Sequence, residues 1–269
     1  MIYSNCIDEY FKVYLLLKKI IVRFLLEFSY AGTNYHGWQS QPNAISVQGV
    51  MENALSTILK SRTSLVAAGR TDTGVHARQM FAHFDSTIKL ELQDKLVYLL
   101  NQFLPSDIVI QSLRQVKLNT HARFDALLRT YEYHINIGKS AFQNDLHYQF
   151  NQKLDFNLMN TAAKILLEYE DFQCFSKSKT DVKTFLCDIN YANWTNSEKG
   201  YIFTITANRF LRNMVRAIVG TLIEIGLKKK KLEELHQIIL NKKRSDAGFS
   251  VPAKGLFLTK IQYPDDIYL

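Results

Sequence analysis

The chain has 269 residues, 47% hydrophobic and 22% charged, an ordinary globular composition with enough apolar mass for one large domain or two small ones. That hydrophobicity excludes disorder over most of the chain, and 11 Gly and 4 Pro exclude collagen-like or low-complexity organisation. Lys and Arg outnumber Asp and Glu by 33 to 25, a net charge of +8 that favours a polyanionic partner such as nucleic acid.

The cysteines, Cys6, Cys174 and Cys187, are too few and too scattered for a disulfide framework or a CxxC zinc site, and suit a reducing compartment. No HExxH, GxSxG or GxxxxGK[ST] pattern occurs, which removes zincin, serine hydrolase and P-loop readings. The apolar runs near the N-terminus are interrupted by Asp8, Glu9, Lys12, Lys18, Lys19, Arg23 and Glu27. Neither a membrane span nor a signal peptide is expected, and the protein is read as cytoplasmic.

Val22 to Tyr30 read as a buried strand, followed by a turn at Ala31–Asn34 where Gly and Asn tolerate positive φ. Val47, Val50, Met51, Ala54, Leu55, Ile58 and Leu59 recur at helical spacing after Ser46, an N-cap. A loop carries Gly69 to His76, and Gln79 to Phe84 are extended. A helix over Lys95–Phe103 stops before Pro105. Strands follow at Ile108–Val116 and Thr130–Ile137, then a helix at Phe156–Leu167. Ile189–Thr195 and Tyr201–Ala207 form a strand pair. Helices at Phe210–Ile225 and Leu232–Leu240 precede a last strand, Leu256–Tyr263. The pattern predicts an α+β fold with antiparallel pairing. A break near Lys117–Ala122 divides it into halves 22–117 and 118–269, both basic.

Three segments carry candidate chemistry. In Gly69-Arg70-Thr71-Asp72-Thr73-Gly74-Val75-His76-Ala77, Asp72 can serve as nucleophile or base, or simply close an Asx-type turn. In Asn208-Arg209-Phe210-Leu211-Arg212-Asn213-Met214-Val215-Arg216, a helix would place Arg209, Arg212 and Arg216 on one face, an anion site near a helix start. The apolar residues between them imply that at least one Arg is half-buried and needs an acidic partner. The third runs from Arg123-Phe124 through Arg129-Thr130-Tyr131-Glu132-Tyr133. In a strand, Tyr131 and Tyr133 share a side, either to stack bases or to fill a core.

These segments together resemble the tRNA pseudouridine synthase A family from about Arg23 to Pro264. The matching pieces are Phe28–Gln39, Ser46–Gly49, Gly69–Ala77, Leu104–Ile108, Ala122–Phe124, Arg129–Tyr133, Asn213–Arg216 and Pro252–Leu256, in order and at family-like spacing. The resemblance implies two ferredoxin-like halves that form one continuous, mainly antiparallel sheet flanked by helices, with a central basic cleft. It implies isomerisation of uridine to pseudouridine at tRNA positions 38, 39 and 40, without metal or cofactor, by a homodimer that grips the anticodon arm of tRNA. By motif position, Asp72 would be the nucleophile, Tyr131 would stack on the target uracil and share in proton transfer, and Arg216 would pair with Asp72. Arg70, Arg129, Arg209 and Arg212 would contact RNA. A noncatalytic RNA-binding module, or a pseudouridine synthase for other RNA positions, are the rival readings.

Two departures from the family pattern stand out. Thr73 replaces the Ala that often follows the catalytic Asp, a small change. Residues 1–21 have no family counterpart, and Val22-Arg23-Phe24-Leu25 resembles a family start with Val for Met. The expectation is translation from Val22 through a GUG codon read as Met. If the extension is translated, weak order or a peripheral helix is expected. The intact mass of the native protein decides: a mass that includes Met1–Ile21 refutes a start at Val22.

Overall fold

The computed structural model describes residues 21–87, 92–177 and 182–269; the expectations for residues 1–20 lie outside it. The strands are β1 (Val22–Tyr30), β2 (Val66–Ala67), β3 (His76–Ser86), β4 (Ile108–Val116), β5 (Leu128–Ile137), β6 (Tyr148–Phe150), β7 (Ile189–Ser197), β8 (Gly200–Ala207) and β9 (Leu256–Gln262). The helices are α1 (Val47–Leu59), α2 (Gln93–Phe103), α3 (Phe156–Ile165), α4 (Met214–Gly226) and α5 (Leu232–Asn241). The strands form one sheet in the order β4-β1-β3-β9-β5-β8-β7, with β2 on β3 and β6 on β5. Pairing is antiparallel except for β3–β9 and β5–β6. This is the mixed, mostly antiparallel α+β sheet that the sequence implied. Among the described residues, no helix is long and apolar enough to cross a membrane.

Local chemistry explains the elements. Phe24, Leu26, Phe28 and Tyr30 alternate along β1 and are buried on one face, against Val47, Met51, Ala54 and Leu55 of α1 in one core cluster. Each buried Phe, Leu, Val or Met among them contributes about 1.5–3 kcal/mol. Ser46 caps α1 by accepting the Gly49 N–H at 3.2 Å, and Asp155 caps α3 by accepting the Leu158 N–H at 3.1 Å. A second core packs α4 against Trp194, Phe203 and Ile205. The last strand serves the first core: Leu258 and Ile261 of β9 pack with β1 and α1.

Two local expectations are corrected. The fourth helix begins at Met214, not Phe210. Asn213 sits in the left-handed region at φ 68°, and the backbone before it bonds elsewhere. The Asn208 N–H donates to Asp188 O at 3.1 Å, and Arg212 O accepts the Lys177 N–H at 3.0 Å. Arg209 and Arg212 therefore lie outside the helix, and the shared face with Arg216 does not exist. Gly32–Asn34 form a 3₁₀ turn with no positive φ. Gly32 is required instead because a Cβ there would lie 2.0 Å from Val75 O.

Gly37 does use positive φ, at 85°, and a Cβ would approach Thr71 O to 2.4 Å. Around it, the Trp38 N–H donates to Thr71 O at 3.3 Å and the Gly74 N–H to Tyr35 O at 3.3 Å. Residues 35–38 thus form a mould for the loop that leads into β3. Gly37→Ala should destabilise the protein by about 1–3 kcal/mol, read as a lowered Tm. Gly69→Ala, with nothing within 4 Å of the added Cβ, should change stability by less than about 0.5 kcal/mol.

Burial holds two histidines neutral. His83 Nδ1 accepts the Ala122 N–H at 3.1 Å; desolvation, then the charge of Arg23, pushes its pKa down to about 4. His147 is pushed to about 4 by desolvation, then by His134 and Arg78. Both sit below the ordinary 6.5, so between about 4 and 6.5 the unfolded chain binds more protons. Their stabilisation is complete above the upper value and is lost as pH falls through the lower. Urea midpoints should drop over that window. His83→Gln, whose amide oxygen can accept the same N–H, should reduce the slope.

Candidate active site

The site forms where β3, β9 and β5 lie side by side. In the parallel pairing, Ala77 sits opposite Leu258; in the antiparallel pairing beyond it, Leu258 sits opposite Tyr131. At the usual strand spacing, Ala77 and Tyr131 are therefore about 10 Å apart at one level of the sheet. The Asp72 loop feeds directly into β3, and its turn closes with the Val75 N–H on Asp72 O at 3.1 Å. Tyr30 Oη bonds Thr71 Oγ1 at 2.9 Å, which fixes the residue before Asp72.

His76 fastens the loop to both sides. Its Nδ1 accepts the Gly32 N–H at 2.9 Å, leaving Nε2 to donate to Lys254 O at 3.2 Å. The ring stacks on Phe257 at 4.6 Å, and burial lowers its pKa. The segment before β9 is anchored in turn: Tyr133 Oη donates to Pro252 O at 2.8 Å, and the Gly248 N–H donates to Thr221 Oγ1 of α4 at 2.8 Å.

Arg216 lies in the first turn of α4. Its Nε donates to Val251 O at 2.7 Å, while its own carbonyl accepts the Val251 N–H at 3.2 Å. So oriented, its Nη1 stands 3.7 Å from Asp72 Oδ2. Arg212, from the non-helical approach to α4, places Nε 3.5 Å from Asp72 Oδ1. Arg216 is the half-buried arginine with an acidic partner that the apolar spacing required. Each carboxylate oxygen faces one guanidinium at a distance longer than a tight hydrogen bond, so charge is compensated while lone pairs stay accessible.

Tyr131 is half-buried and packs against both core clusters, its ring edge-to-face with Phe210 at 5.1 Å. Desolvation pushes its phenol up to about 12, with Arg129 opposing and the charge of Asp72 adding. It is therefore a neutral phenol at physiological pH. Tyr133, two residues on, is fully buried and is a core tyrosine.

The other arginines divide. Arg70 is exposed and makes no ion pair among the described residues. Arg209 is half-buried and adds positive charge beside Arg129. Arg129 has its donors committed to four carbonyl oxygens: Ala126 at 2.6 Å, Asn208 at 2.7 Å, Ala68 at 3.3 Å and Arg123 at 2.5 Å. Its guanidinium joins the approaches to both the Asp72 loop and α4. His76, Thr71 and Val251 were not singled out in the sequence. His76 stood within the motif, but its two partners are remote in the chain. Among the described residues, no group of three or more His, Cys, Asp or Glu is placed to hold a metal ion. A cavity of about 320 Å³ beside β3 is lined by residues that include His76, Arg78, Asp107 and Phe257, and Asp72 is not in its wall.

Comparison with known proteins supplies an independent view. A family model described as tRNA pseudouridine synthase matches residues 28–125 and 162–264, and so includes Asp72, Arg212 and Arg216. The chain is 48% identical over 252 residues to a protein of Bacteroides thetaiotaomicron named tRNA pseudouridine synthase A, covering 91% of this chain and 92% of the relative. A Porphyromonas gingivalis protein of the same name is 47% identical, with 93% and 100% covered. One from Acetivibrio thermocellus is 39% identical, with 90% and 99% covered. The chain belongs to the tRNA pseudouridine synthase family and is an isomerase of that class.

Proposed function

We propose that the protein converts uridine to pseudouridine at positions 38, 39 and 40 of the tRNA anticodon arm, with Asp72 as the nucleophile. The three positions rest on the family resemblance; the observation that supports Asp72 as nucleophile is one carboxylate set between two guanidinium groups, Arg212 and Arg216, with the neutral Tyr131 near enough to feel its charge. A protein that only bound RNA would lose affinity by placing a carboxylate in a basic surface.

A uridine in a stem must first be extruded. Exposed Arg70 is suited to contact the displaced strand, and Arg209 adds positive charge for the backbone. An Asp72 oxygen attacks C1′, the C1′–N1 bond breaks, and its electron pair leaves with the uracil. The uracil rotates and C5 attacks C1′, expelling the carboxylate. A proton leaves C5 and N1 is protonated, so atoms and electrons balance without redox or cofactor chemistry. Tyr131 stacks on the uracil. With its pKa raised, the phenol serves the C5 proton step as a neutral relay rather than as a standing phenolate. Arg216 holds Asp72 in line. Arg129 supports the RNA-binding surface by tying its loops together, its own donors being occupied.

In this reading residues 22–117 supply the nucleophile loop, and residues 118–269 supply the tyrosine and arginines. The resemblance also supports a homodimer. Cytoplasmic placement fits the buried free thiols of Cys174 and Cys187.

The test is pseudouridine formation on an unmodified tRNA transcript, mapped by chemical labelling and primer extension. Wild type should modify positions 38 to 40. Asp72→Asn should lower turnover on the order of 10³-fold or more and leave tRNA binding largely intact. Binding by the wild type without new pseudouridine would refute the catalytic reading.

A further inference from the structure

The loop between β4 and β5 ends a run of aromatic contacts in the open. His83 of β3 is buried, and its ring meets His121 edge-to-face at 4.9 Å. His121 packs on Phe124 at 4.3 Å, with the planes tilted by 35°. Phe124 is 75% exposed, and the Arg123 guanidinium lies 5.9 Å from its ring centre. A single exposed apolar side chain is unremarkable in itself. Here the backbone beneath it is fixed residue by residue.

The Asp125 carboxylate accepts the His121 N–H at 2.8 Å. His121 Nδ1 accepts the Arg123 N–H at 3.1 Å and the Phe124 N–H at 3.4 Å. His121 O accepts the Phe124 and Asp125 N–H groups at 3.1 and 3.0 Å. Ala122 is held on both sides, its N–H by His83 and its carbonyl by the Tyr263 hydroxyl. Arg129 holds the Arg123 and Ala126 carbonyls. A ring presented on so constrained a loop loses little conformational entropy when a ligand covers it.

We propose that Phe124, with Arg123 at its side, is a stacking platform for an unpaired nucleobase of the RNA on the flank of the Asp72 site. The proposal rests on the tRNA reading above and deepens it. Two observations favour a base over an apolar protein side chain. Arginines outweigh the Asp125 carboxylate in the surroundings: Arg123 is exposed, and the charges of Arg123 and Arg209 both bear on Arg129. The platform is also tied to the catalytic loop, because the guanidinium that holds Arg123 O also holds Ala68 O, two residues before Arg70. A base outside the duplex offers a flat ring that completes the His83–His121–Phe124 series, while its phosphates meet the arginines.

The experiment compares Phe124→Ala, Phe124→Leu and Phe124→Trp with wild type, using the unmodified tRNA transcript as probe. Kd, KM, kcat, Tm and the sedimentation profile are measured for each. The Ala and Leu variants should keep the wild-type Tm and weaken tRNA binding on the order of tenfold, chiefly in Kd and KM. The Trp variant should bind as well as wild type. Its added fluorescence should be quenched by tRNA beyond any change from buried Trp38 and Trp194. If Leu serves as well as Phe, or if tRNA leaves the new fluorescence unchanged, the platform is refuted. Unchanged tRNA binding with lost self-association in the Ala variant would likewise refute it, in favour of a protein contact. Wild-type turnover in the same assay tests the tRNA reading separately: a protein that neither binds nor modifies the transcript overturns that reading, whereas failure of the Phe124 series alone overturns only the platform.

Discussion

The parallel contact between β3 and β9 is the constraint on which the site depends. It is short, two residue pairs long, and it inserts the last strand of the chain between segments that are far apart in sequence. A parallel neighbour cannot be reached by a hairpin, so the segment before β9 must arrive from elsewhere in the fold. It arrives past α4, exchanging hydrogen bonds with Thr221 and Arg216 on the way. His76 then closes the seam, because one imidazole accepts from the turn after β1 and donates to the approach to β9.

That arrangement solves an electrostatic problem. Asp72 stands in a basic surface, and a part-buried carboxylate there needs cations to compensate its charge. Two guanidinium groups at 3.5 and 3.7 Å spread the compensation across both oxygens. Arg216 is held by a backbone carbonyl and not by the carboxylate alone, so its position does not depend on Asp72. Arg129 has a comparable role at the rim, where its four carbonyl contacts join loops that would otherwise be loosely connected.

Much of the fold was legible locally. A buried apolar run marked β1 and hydrophobic alternation marked β4, both with their observed ends, and the Ser46 cap marked the start of α1. Those features arise from contacts within a few residues. The fourth helix was misread at its start because Phe210 and Leu211 continue the apolar spacing. Their burial instead serves contacts with Tyr131 and the second core, and a left-handed Asn213 intervenes before the helix begins. The same apolar spacing did imply a half-buried arginine with an acidic partner, which Arg216 is.

The sequence by itself determined the class of fold, the family and the residue types of the candidate site: the Gly-Arg-Thr-Asp loop, the tyrosine strand and the cluster of arginines, although it set those arginines on one helix face. Only the tertiary structure decided which residues meet. It set Arg212 and Arg216 on Asp72, turned Arg129 into a clamp and gave His76 its two partners. It also ended a run of aromatic contacts at Phe124. The physical reason is that periodicity and capping are local, whereas these contacts depend on strand order. Placing β9 between β3 and β5 brings together groups more than a hundred residues apart, and no local pattern encodes that order.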